Sequence, residues 1–139
     1  MLKPIAIFLI AVSIIANAKD APVRYECPSV AMLTSKDGVE YFATTTYNGL
    51  AVNWYGDNLS EDQSSITALI GANANDCLQG ICQVQCLYST TSEEPQAVWM
   101  DIRYQEYAAS KLGDTGWDGG ICRSENPGDC IFYLVKHTW

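Results

Sequence analysis

Six cysteines are the residues of this 139-residue chain best suited to chemistry, and their number and spacing point to crosslinks rather than catalysis. Cys27, Cys77, Cys82, Cys86, Cys122 and Cys130 form an even set with no Cys-x-x-Cys pair, so thiol redox catalysis has no motif here. In an oxidising compartment they form up to three disulfides, and fifteen pairings are open to the sequence alone. Two local closures are favourable: Cys77 with Cys82 around LQGI, and Cys122 with Cys130 around RSENPGD, where Asn-Pro-Gly-Asp supplies turn residues. Cys27 with Cys86 would then tie the N-terminal part to the middle of the chain. On a chain-entropy account that long loop contributes about 4 kcal/mol and each short one roughly 2 to 3 kcal/mol. A zinc site is the rival reading of Cys-x4-Cys-x3-Cys with a distant pair, but the single histidine disfavours it.

Other catalytic groups are sparse. His137 is the only histidine, so any mechanism needing an imidazole base must use it. Its place in Lys136-His137-Thr138-Trp139 reads instead as a surface position on a last strand. Two acidic loops could offer oxygens to calcium: residues 57–62, with Asp57 and Asp62, and residues 114–120, with Asp114 and Asp118. Neither follows the twelve-residue loop closed by a glutamate, so solvated turns are the expectation and no metal or other cofactor is assigned. Paired carboxylates could also serve a small hydrolase, one as acid and one as base or nucleophile, with Asp101, Glu106, Asp114 and Asp118 as candidates. Sixteen acidic residues give no means of choosing a pair, so no catalytic residue is assigned and the expectation is a non-enzymatic protein.

The aromatic residues suggest binding. Four tryptophans and eight tyrosines occur, and Trp54, Tyr55, Trp99 and Trp117 fall on strands or loops whose two faces cannot all be core. Planar side chains beside Asp and Asn on a β scaffold suit either sugar stacking or a protein interface.

The first eighteen residues, MLKPIAIFLIAVSIIANA, read as a secretory signal peptide. Lys3 is the positive n-region, Pro4 to Ile15 the apolar run, and Ala16-Asn17-Ala18 the cleavage site. The run is short for a membrane span, so no stable membrane anchor is expected. The protein is then secreted or periplasmic, and residues 19–139 form one domain. Lys3 is the only one of eight basic residues in the leader, so the mature part sets seven against sixteen acidic ones, a net charge of −9. Such a surface repels nucleic-acid phosphates and anionic lipid and suits a cationic or neutral partner.

The elements that must position these groups are mostly strands. Residues 38–56, GVEYFATTTYNGLAVNWYG, alternate on both sides of Asn48-Gly49, a dipeptide fitted to a type I′ hairpin turn. Tyr41, Ala43 and Thr45 share one face, and Phe42 and Thr44 the other. Residues 64–72 favour a strand. Residues 81–90 alternate with Cys82, Val84, Cys86 and Tyr88 together, and residues 96–105 with Val98, Met100, Ile102 and Tyr104 together, which makes a second hairpin broken at Ser92-Glu93-Glu94-Pro95. Residues 105–111, QEYAASK, are the one expected helical turn. Gly113 to Asp129 should be a long loop stapled by Cys122 and Cys130, before a last strand from Ile131. The sum is a mostly β, antiparallel sandwich or strongly twisted sheet with long loops, held by up to three disulfides.

Cys27-Pro28 soon after the leader, the aromatic hairpin ending at Trp54-Tyr55-Gly56, Cys86-x-Tyr88, Trp117, and Cys122 with Cys130-x-Phe132 follow one another in an order that resembles a family of small exported proteins of Gram-negative bacteria, a domain of unknown function. Cys77 and Cys82 are additions to that pattern. The resemblance implies a periplasmic or secreted disulfide-bonded β domain and brings no catalytic residues. The reading is therefore a binding module outside the cytoplasm: an exported effector or inhibitor of a cationic protein partner, with glycan or cell-envelope binding through Trp54, Trp99 or Trp117 as the alternative, and a carboxylate hydrolase as the third.

Overall fold

Asn48 and Gly49 take left-handed φ values of 49° and 79°, the backbone that a type I′ turn needs. From this turn β3 (Glu40–Tyr47) and β4 (Leu50–Asp57) pair from Tyr47↔Leu50 to Glu40↔Asp57. Tyr41, Ala43, Thr45, Val52 and Trp54 point inward and are buried, as the alternation requires. The short β2 (Thr34–Ser35) lies along β3. This computed structural model describes residues 21–57, 65–91 and 97–137. The leader, Asp62 and the break at Ser92-Glu93-Glu94-Pro95 lie outside the described residues.

A longer hairpin of β5 (Ile66–Leu78) and β6 (Ile81–Thr90) turns at Gln79-Gly80. The strand expected within 64–72 is the first part of β5. Val84, Cys86 and Tyr88 of β6 are buried, so the cysteine-bearing face is the core face. β6 is central: β5 covers one edge, while β7 (Val98–Ile102) and β8 (Tyr107–Leu112) share the other. β7 pairs onward with β4. β8 pairs onward with β11 (Phe132–Lys136), and β11 with β1 (Val23–Tyr25). The order across the sheet is β1-β11-β8-β6-β7-β4-β3-β2.

Residues 105–111 are not helical. They pass from a 3-10 turn at Arg103–Gln105 into β8. Alanine's preference for helix over other ordinary residues amounts to at most about 0.7 kcal/mol per residue. Pairing with β11 instead buries Ala108 and Ala109 almost completely, and the tertiary context wins. The long segment after Gly113 also holds more structure than expected. β9 (Trp117–Asp118) and β10 (Ile121–Cys122) form a small hairpin, and β10 docks on β5.

The sheet curls until its first strand meets the β3–β4 hairpin. Trp54 of β4 packs edge-on against Phe132 of β11 with ring centroids 6.2 Å apart. The Tyr25 hydroxyl of β1 lies within hydrogen-bond reach of the carbonyls of Thr45 and Leu50, at the far hairpin. Three disulfides, Cys27–Cys86, Cys77–Cys82 and Cys122–Cys130, use all six cysteines, so none remains for zinc. Cys27 and Cys86 lie in the core, where the Tyr88 hydroxyl donates to the Pro28 carbonyl. The crosslinks fit an oxidising extracellular or periplasmic location. Among the described residues no helix is long and apolar enough to cross a membrane.

Candidate functional site

The outward face of the same strands carries a row of side chains in register. Phe42 of β3 lies opposite Tyr55 of β4, Tyr55 opposite Asp101 of β7, and Asp101 opposite Gln85 of β6. Residues opposite one another share a face, so four strands contribute one continuous line of aromatic, acid and amide. Gly56 permits this spacing. A Cβ there would sit 2.4 Å from the Trp99 carbonyl oxygen and 2.6 Å from Met100 Sδ, so β4 and β7 approach closely only because that position is glycine.

Beside this row the sheet parts. Asp101 pairs with Gln85, and the next pair is Ala109 with Cys82, so residues 102–108 span what residues 83 and 84 span on β6. The excess chain rises as the 3-10 turn, and a groove of about 750 Å³ opens between it and the row. Glu40, Phe42, Tyr55 and Asp101 line one side, with Gln83 and Gln85. Arg103, Tyr104, Gln105 and Tyr107 line the other. Tyr104 and Gln105 both hold left-handed backbone, at φ 58° and 52°. Each such non-glycine residue costs on the order of 1 kcal/mol, and pairs of them gather where function requires a particular presentation. Here the turn leaves Tyr104 77% exposed.

The polar groups of the groove are oriented. Asn75 Nδ2 donates to Gln85 Oε1 at 2.8 Å, which leaves the Gln85 amide N–H to donate to Asp101. Asp101 is thus held as an acceptor, and its desolvation in the groove still raises its carboxyl above the ordinary range despite that bond. The Tyr55 hydroxyl lies 2.6 Å from Asp57 Oδ1 and 3.2 Å from Glu40 Oε1. The Asp57 hydrogen bond, then desolvation and the charges of both carboxylates, push the phenol well above its usual value, so it stays a donor. Arg103 stacks over two rings, its guanidinium carbon 4.8 Å from the centroid of Tyr104 and 5.9 Å from that of Phe42.

Of the four aromatics singled out in the sequence, Tyr55 lies in the groove. Trp54 does not present a face to a ligand: it is 1% exposed, and its indole N–H donates to Thr45 Oγ1 at 3.0 Å inside the core. It shares the buried face of β4 with Val52. Trp99 is 37% exposed and sits one row along on the outward face, opposite Leu87 and Asp57. Trp117 is half-buried, with its indole N–H given to the Ile131 carbonyl at 2.7 Å.

The acidic candidates are scattered. Asp101 lines the groove, whereas Glu106, Asp114 and Asp118 do not. Asp57 accepts from Tyr55, and Asp62 lies outside the described residues. Among the described residues no group of three or more His, Cys, Asp or Glu side chains is placed to hold a metal ion. His137 follows the last strand, its backbone N–H bonded to the Glu106 carbonyl. The groove residues that sequence reasoning did not single out include Phe42 and Gln105 as well as Glu40, Gln83, Gln85, Arg103, Tyr104 and Tyr107. Strand alternation puts Glu40 on one face of β3 and Gln83 and Gln85 on one face of β6, but it does not make them neighbours. Alternation groups Tyr104 with Val98, Met100 and Ile102, and the 3-10 turn breaks that period.

Fold and groove together define a small disulfide-stapled antiparallel β protein with an aromatic and acidic groove where its sheet divides. No protein-family model matches the chain, and neither a curated protein nor a solved structure shows significant similarity to it.

Proposed function

We propose that this chain is an exported, non-enzymatic binding protein that uses the groove to take a basic segment of a protein partner outside the cytoplasm. The observation that carries this reading is the groove itself, where Phe42, Tyr55, Tyr104 and Tyr107 stand beside Asp101 and Glu40. Aromatic anchors with a few oriented polar groups are the composition of binding hot spots. The acidic balance of the chain adds long-range attraction for a cationic partner. Export rests on the leader at residues 1–18, cleaved after Ala18, and the three disulfides accord with it.

The test is binding of the oxidised, exported protein to a cationic enzyme such as a lysozyme, against an acidic protein of similar size, at low and high salt. The expected result is association with the basic protein alone, weakened by salt and lost in Tyr55→Ala/Tyr104→Ala. Association that ignores ionic strength and the double variant would overturn the reading. Quenching of tryptophan emission by a glycan panel, with no binding of basic proteins, would move the assignment to a carbohydrate module centred on exposed Trp99.

A further inference from the structure

Among the described residues lining the groove, one is a cation, and it belongs to the chain itself. Arg103 lays its guanidinium across Tyr104 and Phe42, on faces that would otherwise be open to the groove. Two carboxylates, Glu40 and Asp101, line the same space. A planar cation between aromatic faces and carboxylates is the arrangement that recognises guanidinium in a partner. The chain therefore shows, with its own side chain, which chemistry the groove accepts.

We infer that the groove recognises an arginine side chain of the partner protein, which lies over the Phe42 and Tyr104 rings beside Tyr55 with Asp101 as counter-ion, and that Arg103 is an internal stand-in that must leave those faces first. The inference rests on the reading of the groove as the site for a basic partner and names the group that it recognises. Three features favour arginine over a general positive surface. The Asn75–Gln85–Asp101 chain of amide donors keeps the Asp101 carboxylate oriented as an acceptor, so the anion is held in place. Tyr55 is fixed by its bonds to Asp57 and Glu40, which holds its ring in the row beside Phe42, with centroids 5.4 Å apart. Tyr104 stands on consecutive left-handed residues, so its ring is presented by the backbone rather than by packing in the core. Arg103 precedes it directly, and a turn of that side chain away from the rings uncovers both.

A stand-in makes a prediction that an ordinary contact residue does not: removing it strengthens binding. The probes are N-acetyl-arginine amide, its neutral isostere N-acetyl-citrulline amide, and N-acetyl-lysine amide, titrated into the oxidised protein and followed by calorimetry and by the tyrosine ring resonances. Arginine amide is expected to bind and citrulline amide not. Arg103→Ala should tighten arginine binding roughly two- to thirty-fold, the range corresponding to one or two cation–π contacts. Asp101→Asn and Tyr104→Ala should each weaken it. These positions are exposed or lie on the groove surface, and the circular dichroism of each variant checks that it folds.

Weaker or unchanged binding in Arg103→Ala overturns the stand-in role, since Arg103 would then be part of the site or irrelevant to it. Equal binding of arginine and citrulline amides overturns recognition of charge, and tighter binding of lysine amide overturns the choice of guanidinium. A basic protein that still binds Asp101→Asn at full strength sinks this inference and leaves the broader binding reading intact. Arginine amide bound in the groove while basic proteins are ignored does the reverse.

Discussion

Asp101 lines the groove, where desolvation disfavours its charged form. Desolvation raises its native carboxyl above the 3.8 of the free side chain. Below that value both folded and unfolded chains carry it protonated, and it makes no difference to stability. As pH rises through the native value the folded chain must ionise a desolvated group, so its contribution to stability falls. Asp101→Asn, which still accepts from Gln85, should therefore melt higher than wild type at about pH 7 and equally at about pH 3, below the unfolded carboxylate range. A variant that melts lower at neutral pH would show that the carboxylate is stabilising. Trp54 makes the opposite case. Its burial and its bond to Thr45 make it structural, and Trp54→Ala should cost about 3 to 5 kcal/mol in urea unfolding while leaving Thr45 Oγ1 without its indole donor. A loss of under 1 kcal/mol would contradict its place in the core.

Among the elements, the disulfides divide by what they join. Cys27–Cys86 links positions 59 residues apart and fastens the segment after β1 to central β6. Cys77–Cys82 closes the tip of the β5–β6 hairpin across 5 residues, where Leu78 is 66% exposed. Replacing Cys27 and Cys86 by serine should lower stability by about 4 kcal/mol or prevent folding, and replacing Cys77 and Cys82 by about 2 kcal/mol or less, because the paired strands already hold that tip. Denaturation of the two double variants side by side decides it, and equal losses would count against the loop-length account. The 3-10 turn between β7 and β8 is the other decisive element. It lets one stretch of chain pair with β4 before it and β11 after it, and the groove is the space it leaves.

For the molecule as a whole, curling brings the first strand onto the first hairpin. Tyr25 is the fastening: buried, stacked on Phe132, edge-on to Tyr47 at 4.8 Å, and bonded to the Thr45 and Leu50 carbonyls. Tyr25→Phe keeps the ring and removes the hydroxyl, so it should cost about 1 to 3 kcal/mol through carbonyls left without that donor. Amide exchange should accelerate at β1 and at the Asn48-Gly49 end of the hairpin together, and acceleration at β1 alone would show that the two ends are not coupled there. The Cys27–Cys86 bridge keeps the same segment near β6, so the curl should loosen without coming apart.

The amino-acid sequence by itself determined the β class, the type I′ hairpin at Asn48-Gly49, which side chains share a face in β3 and β6, and favourable partners for the cysteines. These follow from interactions close along the chain: side-chain alternation of period two, the left-handed tolerance of Asn-Gly, and the ease of closing short loops. Once Cys77–Cys82 and Cys122–Cys130 are closed, Cys27 and Cys86 are left for each other. Only the tertiary structure decided which strands lie side by side, that residues 105–111 extend rather than coil, that Trp54 rather than Trp99 goes inward, and that Tyr104 stands in solvent. Of the groove, Tyr55 was legible as a candidate binding aromatic and Asp101 as a candidate carboxylate, on separate strands. Their adjacency depends on the register of β4 with β7 and β7 with β6, and on a glycine at 56 that lets the backbones approach. Register between strands is set by how the whole core packs, and no local pattern records it.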